Sequence, residues 1–122
     1  MNGGLLVQHV EHHAIGRTHS ISNKNTVFQI TSTHHQMQYP YNINEEEYDV
    51  LFTSEGIVSP IYEGDKIDRD LIERYGEPEI VLYHKEGFPK CLAVQGHPEM
   101  IPNSPVAKMI SNLVKELVDA CN

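Results

Sequence analysis

The strongest constraint on the fold is an amphipathic pattern near the C-terminal end of the 122-residue chain. Ser104 can cap a helix, and Pro105 suits its first turn, where a missing N–H costs nothing. Apolar residues then recur with helical spacing at Val106, Met109, Ile110, Leu113, Val114, Leu117 and Val118. This spacing predicts a helix from about Pro105 to the end of the chain, with one buried face.

Four β-rich segments precede this helix and predict strands. They comprise residues 26–32, 48–53, 79–84 and 90–95, which are rich in β-branched, aromatic and other apolar side chains. The last two are separated by a short loop containing Gly87 and Pro89, which is typical of a hairpin. Residues 68–75 predict a short helix that ends at Gly76. Strands followed by one long terminal helix indicate an α/β fold.

Composition narrows the class of protein and its partners. Hydrophobic residues make up 39% and charged residues 21%, which is typical of one globular domain over residues 1–122. The net charge of -8 disfavours nucleic acid and anionic membrane surfaces as partners. The N-terminus lacks the features of a signal peptide, so we expect a cytoplasmic protein with reduced thiols at Cys91 and Cys121. We expect Cys91 to lie in an apolar strand, where a thiol is inert.

The segment from Gln95 to Glu99 follows a predicted strand and carries a histidine and a carboxylate. His97 and Glu99 are two residues apart, so in extended backbone they point to the same side. A carboxylate beside a histidine fixes its tautomer and stabilises the imidazolium that forms when it takes a proton. The pair fits a general base with its orienting group, although the spacing alone also fits an ordinary strand end.

A second polar segment follows the first predicted strand. Ser32, Thr33 and His34 lie there, and hydroxyl and imidazole groups could line a binding pocket. A polar turn explains the same composition.

Eight histidines are present, and four of them fall early in the chain, at His9, His12, His13 and His19. His9 and His13 would share a face of a helix, an arrangement that can bind zinc. The segment lacks a helical apolar stripe, which favours a solvated histidine-rich loop over a metal site.

Three segments together resemble the class I glutamine amidotransferases, and specifically their γ-glutamyl hydrolase branch. The segment 94–99 is similar to the His-x-Glu signature of that family, and 32–36 is similar to its S-x-H-H-Q segment. Residues 3–9 resemble the G-G-x-L-x-Q segment that follows the family's nucleophile helix. The three occur in the family's order. The resemblance implies a flavodoxin-like α/β domain.

The resemblance also implies a Cys-His-Glu hydrolase that needs no cofactor and cleaves glutamine or γ-glutamyl amide bonds through a thioester. By motif match, His97 relays protons and Glu99 orients it. Ser32, Thr33 and His34 match the segment that helps to bind the γ-glutamyl substrate.

The family's nucleophile elbow, G-x-C-x-G-x-Q, is missing from the sequence, and neither cysteine matches its position. The chain therefore resembles the C-terminal half of the domain, and it needs a segment or second chain to supply the thiol. We expect the missing half to leave an apolar face or a strand edge exposed. Two alternatives stay open, a non-catalytic binding or interaction module and a histidine-rich metal-binding protein.

Overall fold

Nine strands and two helices are present in the parts of the chain that the computed structural model describes, residues 3–10, 14–34 and 36–120, without the side chains of 14–17 and 33. The strands are β1 (Leu5–Val7), β2 (His9–Val10), β3 (Ala14–Ser22), β4 (Val27–Thr33), β5 (Met37–Tyr39), β6 (Tyr48–Ser54), β7 (Tyr62–Glu63), β8 (Pro78–Tyr83) and β9 (Cys91–Val94). The helices are α1 (Arg69–Tyr75) and α2 (Pro105–Ala120).

The main sheet has five strands in the order β4-β3-β6-β8-β9, and every pairing in it is antiparallel. Two smaller antiparallel pairs join β1 to β5 and β2 to β7. The fold is thus mixed α/β, as predicted. The predicted flavodoxin-like arrangement, which rests on parallel strands, is not confirmed. Short connections such as 23–26 and 84–90 permit hairpins, whereas parallel strands need crossovers of a dozen or more residues.

The four predicted strands are confirmed as β4, β6, β8 and β9, and the predicted hairpin joins β8 to β9. β3 was not predicted from the sequence; it lies between β4 and β6 and pairs with both. The predicted placement of Cys91 in a strand is confirmed, but its side chain is exposed. It begins an edge strand, where only one neighbouring strand covers it.

Both predicted helices are confirmed over the described residues, and a side chain caps the start of each. Asp68 accepts a hydrogen bond from the Asp70 N–H at the start of α1, and Gly76 ends this helix with a φ of 97°. At the start of α2, the Ser104 hydroxyl accepts from the Ala107 N–H at 3.2 Å. Within the described ranges, neither helix combines the length and apolar character that a membrane crossing requires.

Only the first half of α2 buries its apolar face. Val106 and Ile110 join the main core, which also contains Ile21, Ile30, Phe52 and Ile80. Further along the same helix, Val114 is 47% exposed and Val118 is 55% exposed. The helix therefore extends beyond the sheet that it covers, and its second half presents an apolar stripe to solvent.

A second core is formed by the short strands and α1. Its buried members are Val7, Val10, Met37, Tyr39 and Ile72. Short elements of two or three residues can bury little surface individually, so they depend on packing against one another.

The main sheet is curled, so that its two edge strands approach each other. β4 and β9 are at opposite ends of the strand order, yet the segment after β9 contacts β4 directly. The His97 N–H donates a hydrogen bond to Thr31 Oγ1 at 2.7 Å. Gly96 is buried against Ile30 and leaves no space for a side chain. The curl thus brings together the two segments singled out in the sequence.

Candidate active site beside the curled sheet edge

His97 and Glu99 form a hydrogen-bonded pair, with 2.8 Å between His97 Nδ1 and Glu99 Oε1. A carboxylate oxygen only accepts, so Nδ1 carries the proton and donates. In the neutral ring, Nε2 is then the basic nitrogen. Both side chains are substantially exposed, at 50% for His97 and 68% for Glu99.

The local backbone explains how this pair forms. A 3-10 turn covers Pro98–Met100, and Pro98 fixes the backbone between the two side chains. The bond from the His97 N–H to Thr31 anchors the start of this turn on β4. The pair is therefore held by a short turn that is tied to the opposite edge of the sheet.

The pKa of Glu99 lies below the usual value of 4.5. The largest cause is a hydrogen bond from its own backbone N–H, and the second is the hydrogen bond from His97. Glu99 is consequently a carboxylate at neutral pH, the state that can orient a histidine and stabilise its cation.

The three residues predicted to bind substrate lie at the end of β4. Ser32 is completely buried. Thr33 belongs to β4, but its side chain lies outside the described residues. His34 follows the strand, and its Nδ1 donates to the Gln36 carbonyl oxygen at 2.8 Å. A role of these residues in substrate binding stays a prediction.

Gln95 connects this segment to the one that carries the pair. Its Oε1 accepts from the Gln38 N–H at 2.7 Å, and its Nε2 donates to the Gln36 carbonyl at 3.2 Å. Nε2 also lies 3.4 Å from Nδ1 of His34. Since Nδ1 already carries a proton for Gln36, this last approach is a contact and not a hydrogen bond.

A buried carboxylate forms a second polar centre, which the sequence analysis missed. Glu79 is fully buried in β8, and its Oε1 accepts from the Ser54 hydroxyl at 2.7 Å. His19 Nε2 lies 3.0 Å from the same oxygen, and His34 Nε2 lies 3.7 Å from it. The signal in the sequence was an acidic residue at the start of an otherwise apolar strand.

Of the four early histidines, the structure describes His9 and His19 and places them in different strands. His9 lies in β2 and pairs with Glu63 of β7, whereas His19 lies in β3 beside Glu79. His12 and His13 lie outside the described residues.

Among the described residues, no thiol adjoins the His97–Glu99 pair. Cys91 begins β9, and His97 follows the far end of that strand. The four residues of β9 alone separate them by about 10 Å, at roughly 3.3 Å per residue. Cys121 lies outside the described part of the chain.

In comparisons with protein-family models, with curated proteins and with solved structures, nothing matches this chain.

Proposed function

We propose that this chain supplies the proton-relay part of a Cys-His-Glu hydrolase that acts on glutamine or γ-glutamyl amide bonds. The observation that carries the proposal is the 2.8 Å bond between His97 Nδ1 and Glu99 Oε1. The finer expectation, a class I glutamine amidotransferase-like domain of which this chain forms the C-terminal half, belongs to the same proposal.

The pair has the chemistry that proton relay needs. With Nδ1 bound to Glu99, Nε2 of His97 can take a proton from a thiol and later return it to the leaving amine. The Glu99 carboxylate stabilises the imidazolium that exists between these steps. Exposure of both side chains leaves room for an incoming group on this surface.

The surface beside the pair has an apolar groove in which a second polypeptide segment could pack. A groove of about 410 Å³ adjoins Glu99 and is lined by Pro98, Pro102, Ala107, Ile110, Ser111 and Val114. The exposed apolar stripe of α2 continues from this groove to Val118. Apolar surface next to a catalytic pair is where a segment carrying the thiol would pack.

The first test is to sequence the DNA on either side of the region that encodes this chain. The DNA upstream of the Met1 codon is read in the same frame, and neighbouring genes are searched for Gly-x-Cys-x-Gly-x-Gln. A polypeptide carrying that elbow, alone or with this chain as the second component, is then assayed for hydrolysis of glutamine and a γ-glutamyl anilide.

We expect H97N to lower kcat by roughly 10²–10⁴-fold, the range for loss of a general acid–base group. E99Q should cause a smaller loss. H84N is the matched control, since His84 also pairs with a carboxylate, that of Asp49, at 3.2 Å. It follows the C-terminal end of β8, at the opposite end of the β8–β9 pair from His97. The proposal would be refuted if H97N kept the wild-type kcat, or if no polypeptide carrying the Cys elbow gave hydrolysis together with this chain.

A non-catalytic binding module is the second candidate, favoured by the absence of a thiol beside the pair in the described residues. Calorimetric titration of the isolated chain with glutamine and γ-glutamyl peptides tests it. Saturable binding that H97N weakens, with no turnover under any pairing, would favour this candidate. Absence of binding heat with glutamine and with γ-glutamyl peptides would exclude this candidate.

A further inference from the structure

The second polar centre brings three potential metal ligands together. Two imidazole nitrogens and one carboxylate oxygen, from His19, His34 and Glu79, all lie within 4.8 Å of one another. Each comes from a different part of the sheet: β3, the segment after β4, and β8. Strands hold side chains more rigidly than loops do, so His19 and Glu79 lie on rigid elements, and the hydrogen bond to the Gln36 carbonyl orients His34 beside them.

The hydrogen bonds around the centre set the tautomer of His34. Because its Nδ1 donates to the Gln36 carbonyl, the neutral ring directs a lone pair from Nε2. That nitrogen lies 3.7 Å from Glu79 Oε1, which is also electron-rich. At 3.7 Å these two atoms are farther apart than in an N–H···O hydrogen bond, so they are close without a direct hydrogen bond between them.

The spacing suits a metal ion instead. Zinc binds nitrogen and oxygen at about 2.0–2.2 Å, so two ligands of a tetrahedral ion lie roughly 3.3 Å apart. The two distances from Glu79 Oε1, 3.0 Å to His19 Nε2 and 3.7 Å to His34 Nε2, fall on either side of this value. Shifts of a few tenths of an ångström would bring each histidine nitrogen to this spacing from Glu79 Oε1, and the three ligand atoms already lie within 4.8 Å of one another.

Supporting contacts of the kind found at metal sites are also present. The Gln36 carbonyl accepts from the distal nitrogen of His34, and the Ser54 hydroxyl donates to the Glu79 carboxylate. The His19 and His34 side chains are each 9% exposed, which leaves a narrow route for an ion. The net charge of -8 favours the approach of cations.

We propose that His19, His34 and Glu79 bind one divalent transition-metal ion, with zinc as the first choice. Two histidines and one glutamate leave a fourth position for water or another ligand. The proposal does not involve His97 or Glu99, but it shares His34 with the segment that the resemblance assigns to substrate binding. It also differs from a site built on the histidine-rich N-terminal segment, of which only His19 takes part.

The test is metal binding by the whole chain, without a histidine tag and after removal of metal by a chelator. Zn²⁺ is titrated calorimetrically, and Co²⁺ is titrated by visible absorption, whose d–d bands report tetrahedral coordination. We expect one equivalent of each metal per chain. H34Q and E79Q should weaken the binding at least roughly 100-fold, more than loss of a supporting contact does.

Two controls make the result specific. H84Q removes a histidine from another His–carboxylate pair and should bind as the wild type does. H9Q tests the N-terminal histidines and should also bind normally. Loss of binding in H9Q, binding unchanged in H34Q and E79Q, or no stoichiometric uptake by the wild type would overturn the proposal.

A measurement on the wild type covers the case in which E79Q fails to fold. Imidazole ¹⁵N NMR should show His34 protonated at Nδ1 alone, and Zn²⁺ should shift Nε2 of His19 and His34 but not the His84 ring. A doubly protonated His34 at neutral pH with no response to Zn²⁺ would identify an ion pair with Glu79 and overturn the metal site.

Discussion

Replacement of Gly96 by alanine tests the curl that brings the two edges of the sheet together. A Cβ at this position would lie 2.4 Å from Ile30 Cγ1, 2.6 Å from Ile30 Cδ1 and 3.0 Å from the Thr31 carbonyl oxygen. Carbon atoms in contact normally lie about 3.5–4.0 Å apart, so the neighbours must move by roughly 1 Å. Gly96 does not have the positive φ found at five other glycines, so the demand is for space and not for backbone freedom.

The cost follows from how firmly Ile30 is held. Its side chain is fully buried in the main core, and the third close atom belongs to the backbone. Overpacking of this kind costs about 1–3 kcal/mol. We expect G96A to lower the free energy of unfolding by that amount in urea titration, and the melting temperature by roughly 4 °C per kcal/mol.

A double-mutant cycle identifies the clash as the cause. I30A alone should cost about 2–5 kcal/mol through the cavity that it leaves. In the G96A/I30A protein the new methyl group enters that space, so the combined loss should fall below the sum of the two by about 1–2 kcal/mol. G4A is the control, because its Cβ would meet nothing closer than 3.4 Å. Additivity within about 0.5 kcal/mol, or an equal loss in G4A, would refute the reasoning.

Three further predictions concern single carboxyl and phenol groups. E77Q should lower the free energy of unfolding by about 1–3 kcal/mol in urea titration. The reason is that buried Glu77 accepts from the Tyr62 hydroxyl at 2.9 Å and from two loop N–H groups. An unchanged midpoint of urea unfolding would contradict this. Burial, with smaller effects of neighbouring groups, raises the pKa of Tyr83 from 10.0 to about 12. The contribution of Tyr83 to the free energy of unfolding is therefore complete below pH 10 and declines as the pH rises toward 12. Y83F should make this decline shallower, and an equally steep decline would rule out the assignment. By NMR titration the Glu99 carboxylate should have a pKa below 4.5. H97Q should raise this pKa only in part, since the backbone hydrogen bond is the larger cause. A return of the pKa to 4.5 in H97Q would show that His97 is the larger cause instead.

Features that depend on neighbouring residues could be predicted from the sequence. Both helices begin at residues whose side chains cap them, and the hairpin of β8 and β9 follows from two β-rich runs with Gly87 and Pro89 between them. The contact between His97 and Glu99 is equally local, because a two-residue spacing with a proline between them leaves few conformations. Caps, turns and short spacings need no knowledge of the rest of the chain.

Where distant segments meet depends on the tertiary structure. The strand β3 was not predicted because its residues are mostly polar, and pairing with two neighbouring strands stabilises it. His19 and Glu79 are 60 residues apart and come into contact through the strand order and the curl of the sheet. Neither the order nor the curl leaves a periodic signal in the sequence, since both arise from packing between strands. The His97–Glu99 pair was therefore visible in the sequence, whereas the centre formed by His19, His34 and Glu79 was not.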